Sequence, residues 1–389
     1  MTSTAPNLRA YWLGFLLSAA CSASQASAPQ SKPLHGQEKP AAPDPVIAEP
    51  TPASTSTASV SQQEVQPTTD QSLDPQEAAD SGACPDEMVL IDDEYCSEVE
   101  HDCKRHWYAE ANAKKVCEEF EPHSRCVGTR TPKRFCIDKY AWPNRAGERP
   151  EVMNNFYQAQ VKCAAVGKRL CTESEWTMAC EGPDLLPFPY GYVRDPNKCN
   201  GDRPWDSPNM KKVAKRDPAE LARLWQGVRS GSQAQCVSGY GVHDLPGNND
   251  EVVASETFSS DYRGKYDSVH TGGPWYKGVR NQCRPKIYTH NEGFYYYFLG
   301  FRCCAEPDGN ATDPRTPKQV DRGWDFSRVE RLARFSTAEM EEKLKLKAEG
   351  KCECSGGDVL CKTMCGTLLG PEAEDAVLGE PIEESRRSD

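Results

Sequence analysis

Between Cys84 and Cys304 the apolar residues come in short runs separated by dense Gly, Pro and Asn, with no long stretch of a single period. Met88 to Ile91 and Phe135 to Ile137 read as short strands, so this region predicts few regular elements and much ordered loop. Two helices stand out from that background. Phe156, Ala159, Gln160, Cys163 and Ala164 share one face at helical spacing after Asn154 and Asn155, either of which can cap, and Gly167 ends the run. Thr172 with Glu175 then forms a capping-box pattern that opens a second helix carrying Trp176, Ala179 and Cys180 inward. Past Pro307 the pattern turns polar and helical, with Ser327 and Glu330, then Ser336 and Glu339, repeating the capping box, and with Gly350 as a stop.

The two ends of the chain differ in kind from this centre. Arg9 precedes an apolar run from Ala10 to Ala20, too short to span a bilayer and of the length of a signal-peptide core, so residues 1–20 are expected to direct export. Ser18, Ala19, Ala20 and Cys21 resemble a bacterial lipobox, with Cys21 as the lipidation site; a soluble product cut near Ala26 is the alternative. Residues 21–83 are rich in Pro, Ala, Ser, Thr and Gln with almost no aromatics, a composition that buries too little apolar area to offset the entropy of folding. They are expected to form a disordered tether. Domain 84–306 follows, then a linker with helices over 307–350, a small cysteine cluster over 351–366, and a disordered acidic tail over 367–389.

Charge and cysteine count change this picture in two ways. Of the formal net charge of −12, residues 22–83 and 366–389 carry all but one unit, so the folded part is near neutral. No clustered basic face supports nucleic-acid binding. There are 19 cysteines, and setting Cys21 aside leaves an even number suited to complete pairing in an oxidising compartment. The spacing of Cys352, Cys354, Cys361 and Cys365 could clamp zinc, but export favours two disulfides there. His101, Cys103 and His106 are similarly read as an exposed turn tied by a disulfide, with a metal site as the alternative.

Seven segments in order resemble the formylglycine-generating-enzyme, or sulfatase-modifying-factor, family. They are Met88 to Ile91, Phe135 to Tyr140, Gly167 to Leu170 with Thr172 to Trp176, Pro189 to Gly191, His243 to Asn248 with Glu251, Gly272 to Trp275, and Gly300 to Cys303. The resemblance implies an α+β, C-type-lectin-related fold, disulfide-rich and low in regular secondary structure. It also implies disulfides between Cys163 and Cys303 and between Cys180 and Cys283; a pairing of Cys199 with Cys236 is a further guess.

The family enzymes oxidise a substrate cysteine with two nearby thiolates that bind Cu(I), soft ligands that chemistry requires. Those cysteines belong just after the Gly-Gly-x-aromatic block, where this chain reads Pro274 to Gln282 without any cysteine, so no copper is expected. Asn248 and Glu251 match a family calcium site, with a plain polar turn as the alternative because Asn249 and Asp250 depart from the pattern. Trp275, Tyr276, Arg280 and Arg284 are expected to line or approach the family's substrate groove, residue types that suit peptide or glycan recognition and serve equally in cores.

The resulting expectation is a non-catalytic binding or scaffold module, displayed at the bacterial cell envelope by a lipid anchor or released as a periplasmic or secreted protein, with an unknown protein, peptide or glycan ligand. A formylglycine-generating-type or other metal-dependent oxidase is one alternative. A structural envelope lipoprotein is the other.

Overall fold

The computed structural model describes residues 82–109 and 113–370. The expected export signal (1–20), Cys21, nearly all of the tether (21–83) and most of the acidic tail (367–389) lie outside the described residues. In chain order the strands are β1 (Met88–Cys96), β2 (Val99–Glu100), β3 (Cys103–Tyr108), β4 (Lys115–Phe120), β5 (Arg125–Cys126), β6 (Arg130–Asp138), β7 (Arg169–Leu170), β8 (Asp250–Ala254), β9 (Ser268–Thr271), β10 (Lys286–Ile287), β11 (Leu299–Gly300) and β12 (Cys303–Ala305). The helices are α1 (Phe156–Ala164), α2 (Glu173–Glu181), α3 (Met210–Ala214), α4 (Pro218–Leu224), α5 (Pro317–Asp321), α6 (Phe326–Ala333), α7 (Thr337–Ala348) and α8 (Val359–Cys365). Most elements are short, in keeping with the expected α+β fold of low regular content.

Two four-stranded sheets organise the domain, in orders β1-β6-β12-β7 and β10-β9-β8-β11. All neighbouring pairs are antiparallel except β8 with β11. The apolar runs of the sequence mark only the buried ends of β1 and β6, where Ile91 sits opposite Phe135. The outer halves are longer than the hydrophobic pattern showed, because cross-strand charges such as Asp92 with Arg134 at 2.9 Å carry the ladder into solvent.

The helix signals act as their chemistry suggests. Asn155 caps α1, and Gln158 closes a reciprocal box with it. Thr172 and Glu175 form the box that opens α2. Gly167, at φ 71°, supplies the left-handed turn that lets the chain enter β7. Arg169 follows at once and donates to both oxygens of Glu175, at 2.8 and 2.6 Å, locking the turn to the helix it precedes. Burial raises the Glu175 pKa, but Arg169 and the Thr172 amide outweigh it and hold the carboxyl down at about 2.

Two expectations about the region after Pro307 are corrected. Ser327 is not a cap: Asp325 takes that place on α6, and Glu330 accepts from the Thr337 amide at 2.8 Å. Nor are these helices a separate region. Val329, Ala333, Phe335, Met340 and Met364 enter the same core as Trp142, Phe156, Val161, Leu170, Val252, Leu299 and Phe301. A buried ionic seam fastens them. Lys162 reaches Glu151 Oε2 at 2.5 Å and the Thr363 carbonyl at 2.6 Å, and Lys347 of α7 reaches Glu151 Oε1 at 3.1 Å.

Every described cysteine is in a disulfide: Cys84–Cys136, Cys96–Cys126, Cys103–Cys117, Cys163–Cys303, Cys171–Cys304, Cys180–Cys283, Cys199–Cys236, Cys352–Cys365 and Cys354–Cys361. Those that close long loops, such as Cys163–Cys303 over 140 residues, restrict the unfolded chain most, by about 5 kcal/mol in the chain-entropy account. Such density points to maturation in an oxidising environment outside the cytoplasm. Among the described residues no helix is long and apolar enough to cross a membrane.

Candidate functional site

An open cleft of about 910 Å³ lies at the upper end of the range of small-ligand pockets. Four segments build it: Tyr95 and Ser97 at the end of β1, Glu173 and Ser174 at the start of α2, the loop from Glu256 to Arg263, and the run Arg284 to Thr289 that contains β10. β10 is an edge strand, paired only with β9, and both of its residues line the cleft.

The acids of the cleft are engaged within the protein. Glu173 Oε1 accepts from the Glu256 amide and the Thr257 hydroxyl, each at 3.0 Å, and its Oε2 accepts from the Tyr288 hydroxyl at 3.1 Å. Glu256 returns the exchange by accepting from the Ser174 amide at 3.0 Å, and pairs with Lys133 at 3.0 Å. Asp261 accepts from the amides of Arg263 and Gly264 and from Ser259.

The cations are in mixed states. Arg284 is fully committed, to buried Glu181, to the Cys96 carbonyl at 2.8 Å and to the Ser97 carbonyl at 3.1 Å. Lys286, half-buried on β10, has no hydrogen-bonded or ion-pair partner for its ammonium among the described residues. Burial lowers its pKa, with Glu173 pulling the other way. Arg263, exposed at the rim, donates only through Nε, to the Tyr262 hydroxyl at 3.2 Å. Tyr95, Tyr262 and Tyr288 supply aromatic walls, the last two meeting edge to face with centroids 6.0 Å apart. Burial pushes the Tyr95 pKa up to about 12, so its hydroxyl stays neutral.

Of the four residues expected at a groove, only Arg284 lines this cleft. Trp275 is 1 % exposed and packs edge-on against Trp225 at 4.9 Å, a core position, the second of the two roles open to it from sequence. Arg280 is bound to the buried carboxylate of Asp250. Tyr276 lies elsewhere, half-buried against the exposed Trp205 at 5.0 Å.

Asn248 and Glu251 are each held by separate protein partners and do not fit calcium. Asn248 Oδ1 accepts from the Val228 amide at 2.7 Å and from Asn200 at 3.1 Å, while its Nδ2 donates to the Val228 carbonyl. Both oxygens of Glu251 accept from Arg302 at 2.8 Å, and Oε2 accepts also from Trp176 Nε1 at 3.0 Å. The Arg302 guanidinium already holds both Glu251 oxygens that an ion would need.

The remaining metal-like groups also resolve into other roles. His101 contacts the Leu185 carbonyl at 2.8 Å and His106 meets Tyr108 edge to face, so the two histidines are engaged separately, and Cys103 lies in a strand instead of a turn. The four carboxy-terminal cysteines form two nested disulfides. Cys163 meets Cys303, Cys180 meets Cys283, and Cys199 meets Cys236. Tyr95, Glu173, Glu256, Arg263, Lys286 and Tyr288 were not singled out by sequence; the only local signal is the polar-apolar alternation of Lys286, Ile287 and Tyr288.

Residues 116–307 match the family described as the sulfatase-modifying factor enzyme 1-like domain. Solved structures similar to the chain include PvdO from Pseudomonas aeruginosa, at 14% identity and TM-score 0.36, covering 56% of this chain and 94% of that one. CarF follows at 13% identity and TM-score 0.36, covering 57% and 98%. Treponema denticola variable protein 1 is similar at 14% identity and TM-score 0.34, covering 57% and 95%. No curated protein sequence matches the chain.

Proposed function

We propose, from the match of residues 116–307 to the sulfatase-modifying factor enzyme 1-like domain, that the chain is a non-catalytic binding module working outside the cytoplasm. One observation carries the reading. The segment Pro274 to Gln282 holds no cysteine, and every described cysteine is tied in a disulfide, so no thiolate pair is left among these residues to ligate Cu(I) and pass electrons to dioxygen. What remains is a cleft with aromatic walls and polar groups on a stapled scaffold, the composition of a recognition surface.

The cysteine density supports placement in the cell envelope or beyond it. Lipid attachment at Cys21 is part of the same reading, and metabolic labelling with a fatty acid, lost in Cys21→Ser, is the expected outcome. The catalytic side is tested by incubating the oxidised, purified chain with Cu(I), oxygen and a cysteine-containing peptide of sulfatase type. Mass spectrometry should find the cysteine intact; conversion to formylglycine would overturn the proposal.

A further inference from the structure

The cleft looks electrostatically balanced when its charges are counted, and it is unbalanced when their partners are. Glu173 and Glu256 have both oxygens engaged by amides, hydroxyls and Lys133, and Asp261 at the rim accepts through Oδ1 from Ser259 and the amides of Arg263 and Gly264. Lys114 and Arg284 are engaged as well. The charged capacity left over inside the cleft is the Lys286 ammonium, with the outer nitrogens of Arg263 and Oδ2 of Asp261 at the rim and the rings of Tyr95, Tyr262 and Tyr288 around them.

We infer that this cleft takes a small ligand whose carboxylate is received by Lys286 and whose ring lies against the tyrosines, the source being either an aromatic acid or a uronic sugar. The inference rests on the binding-module reading and names its ligand class. A half-buried ammonium without a partner has lost part of its hydration with nothing in exchange, so an arriving carboxylate meets a donor that need not first break an internal bond. Burial lowers the Lys286 pKa, Arg284 adds to that effect, and Glu173, Glu181 and Glu256 pull the other way, so an arriving carboxylate would itself favour the charged form. Tyrosine faces accept a flat aromatic acid or the apolar face of a sugar equally. Lys286 is half-buried and lines the cleft, so a ligand entering the cleft can reach it.

The test is titration of the intact, oxidised chain with benzoate and with glucuronate, followed by calorimetry and tyrosine fluorescence, with benzamide as the uncharged control. Saturable binding is expected for at least one acid, and which one binds identifies the source. Benzamide should bind at least about tenfold more weakly, and Lys286→Met should weaken the acid by about tenfold or more, the factor for losing one charge-assisted bond, while Lys286→Arg retains it. Should Lys286→Met fold poorly, acylation of the wild-type protein followed by peptide mapping replaces it, with the bound acid expected to protect Lys286. Absence of saturable binding by both acids, or affinity indifferent to Lys286→Met, would overturn the inference. Formylglycine formation in the separate copper assay would overturn the non-catalytic reading and leave this result standing.

Discussion

The loop from His243 to Glu251 and the cleft around Lys286 are built from the same polar residue types, and they have opposite relations to solvent. In the loop, Asn248 and Glu251 are each 1 % exposed and saturated by protein partners. In the cleft, a lysine faces the cavity with its bonding capacity unused. Sequence motifs report residue types, and function depends on which lone pairs and protons are still available once the chain has folded.

The largest expected effect lies in the saturated loop. Arg302, itself fully buried, donates to both oxygens of Glu251 and to the carbonyls of Asp138 at 3.1 Å and His243 at 3.2 Å. Arg302→Met would leave a buried carboxylate uncompensated and should lower stability by about 3–5 kcal/mol in denaturant unfolding. A loss below about 1 kcal/mol would mean that water reaches Glu251 and that the loop is less sealed than the structure describes.

Asp244 gives a smaller effect with a sign set by pH. It is 3 % exposed; one oxygen accepts from the Gly231 amide at 2.9 Å and the other has no partner. Burial raises its pKa from 3.8 to about 6, against the pull of that amide and Arg302. Across that window the unfolded chain releases a proton that the native state keeps, so stability falls as pH rises and stays lower above the window. Asp244→Asn should therefore stabilise the protein by about 1–3 kcal/mol at neutral pH and leave it nearly unchanged below the window, read as denaturant midpoints at both values.

Removing a charge from the cleft should do almost nothing to the fold. Lys286 has no partner to leave behind, so Lys286→Met should change unfolding free energy by less than about 0.5 kcal/mol. A destabilisation comparable to that of Arg302→Met would erase the contrast and assign the lysine a structural role.

The extent to which these features can be read from sequence follows from how local they are. The Thr172 and Glu175 box and the Gly167 turn need only a few neighbouring residues, so their pattern is legible. The Cys163–Cys303 and Cys180–Cys283 links became legible only through a family resemblance, since spacing alone leaves many pairings open. The carboxy-terminal helices gave no sign of joining the main core, because Lys162 and Thr363 meet across 201 positions. The cleft escaped notice for the same reason: its walls come from four separate segments. Asn248 and Glu251 resembled ion ligands as long as Arg302, 51 positions from Glu251, was not placed beside them.

Calcium provides the smallest expected effect and tests the saturated side of the contrast directly. A site that bound the ion at a hundredfold excess over its dissociation constant would stabilise the native state by about 2.7 kcal/mol, a readily measured rise in thermal midpoint. To bind at Asn248 and Glu251, the ion would have to displace a bidentate guanidinium and strip the Val228 amide and Asn200 of their acceptor. The thermal midpoint should therefore be the same in calcium and in chelator. A rise in calcium that disappears in Glu251→Gln would show that Arg302 yields to the ion, and the loop would then be a binding site held closed by its own arginine.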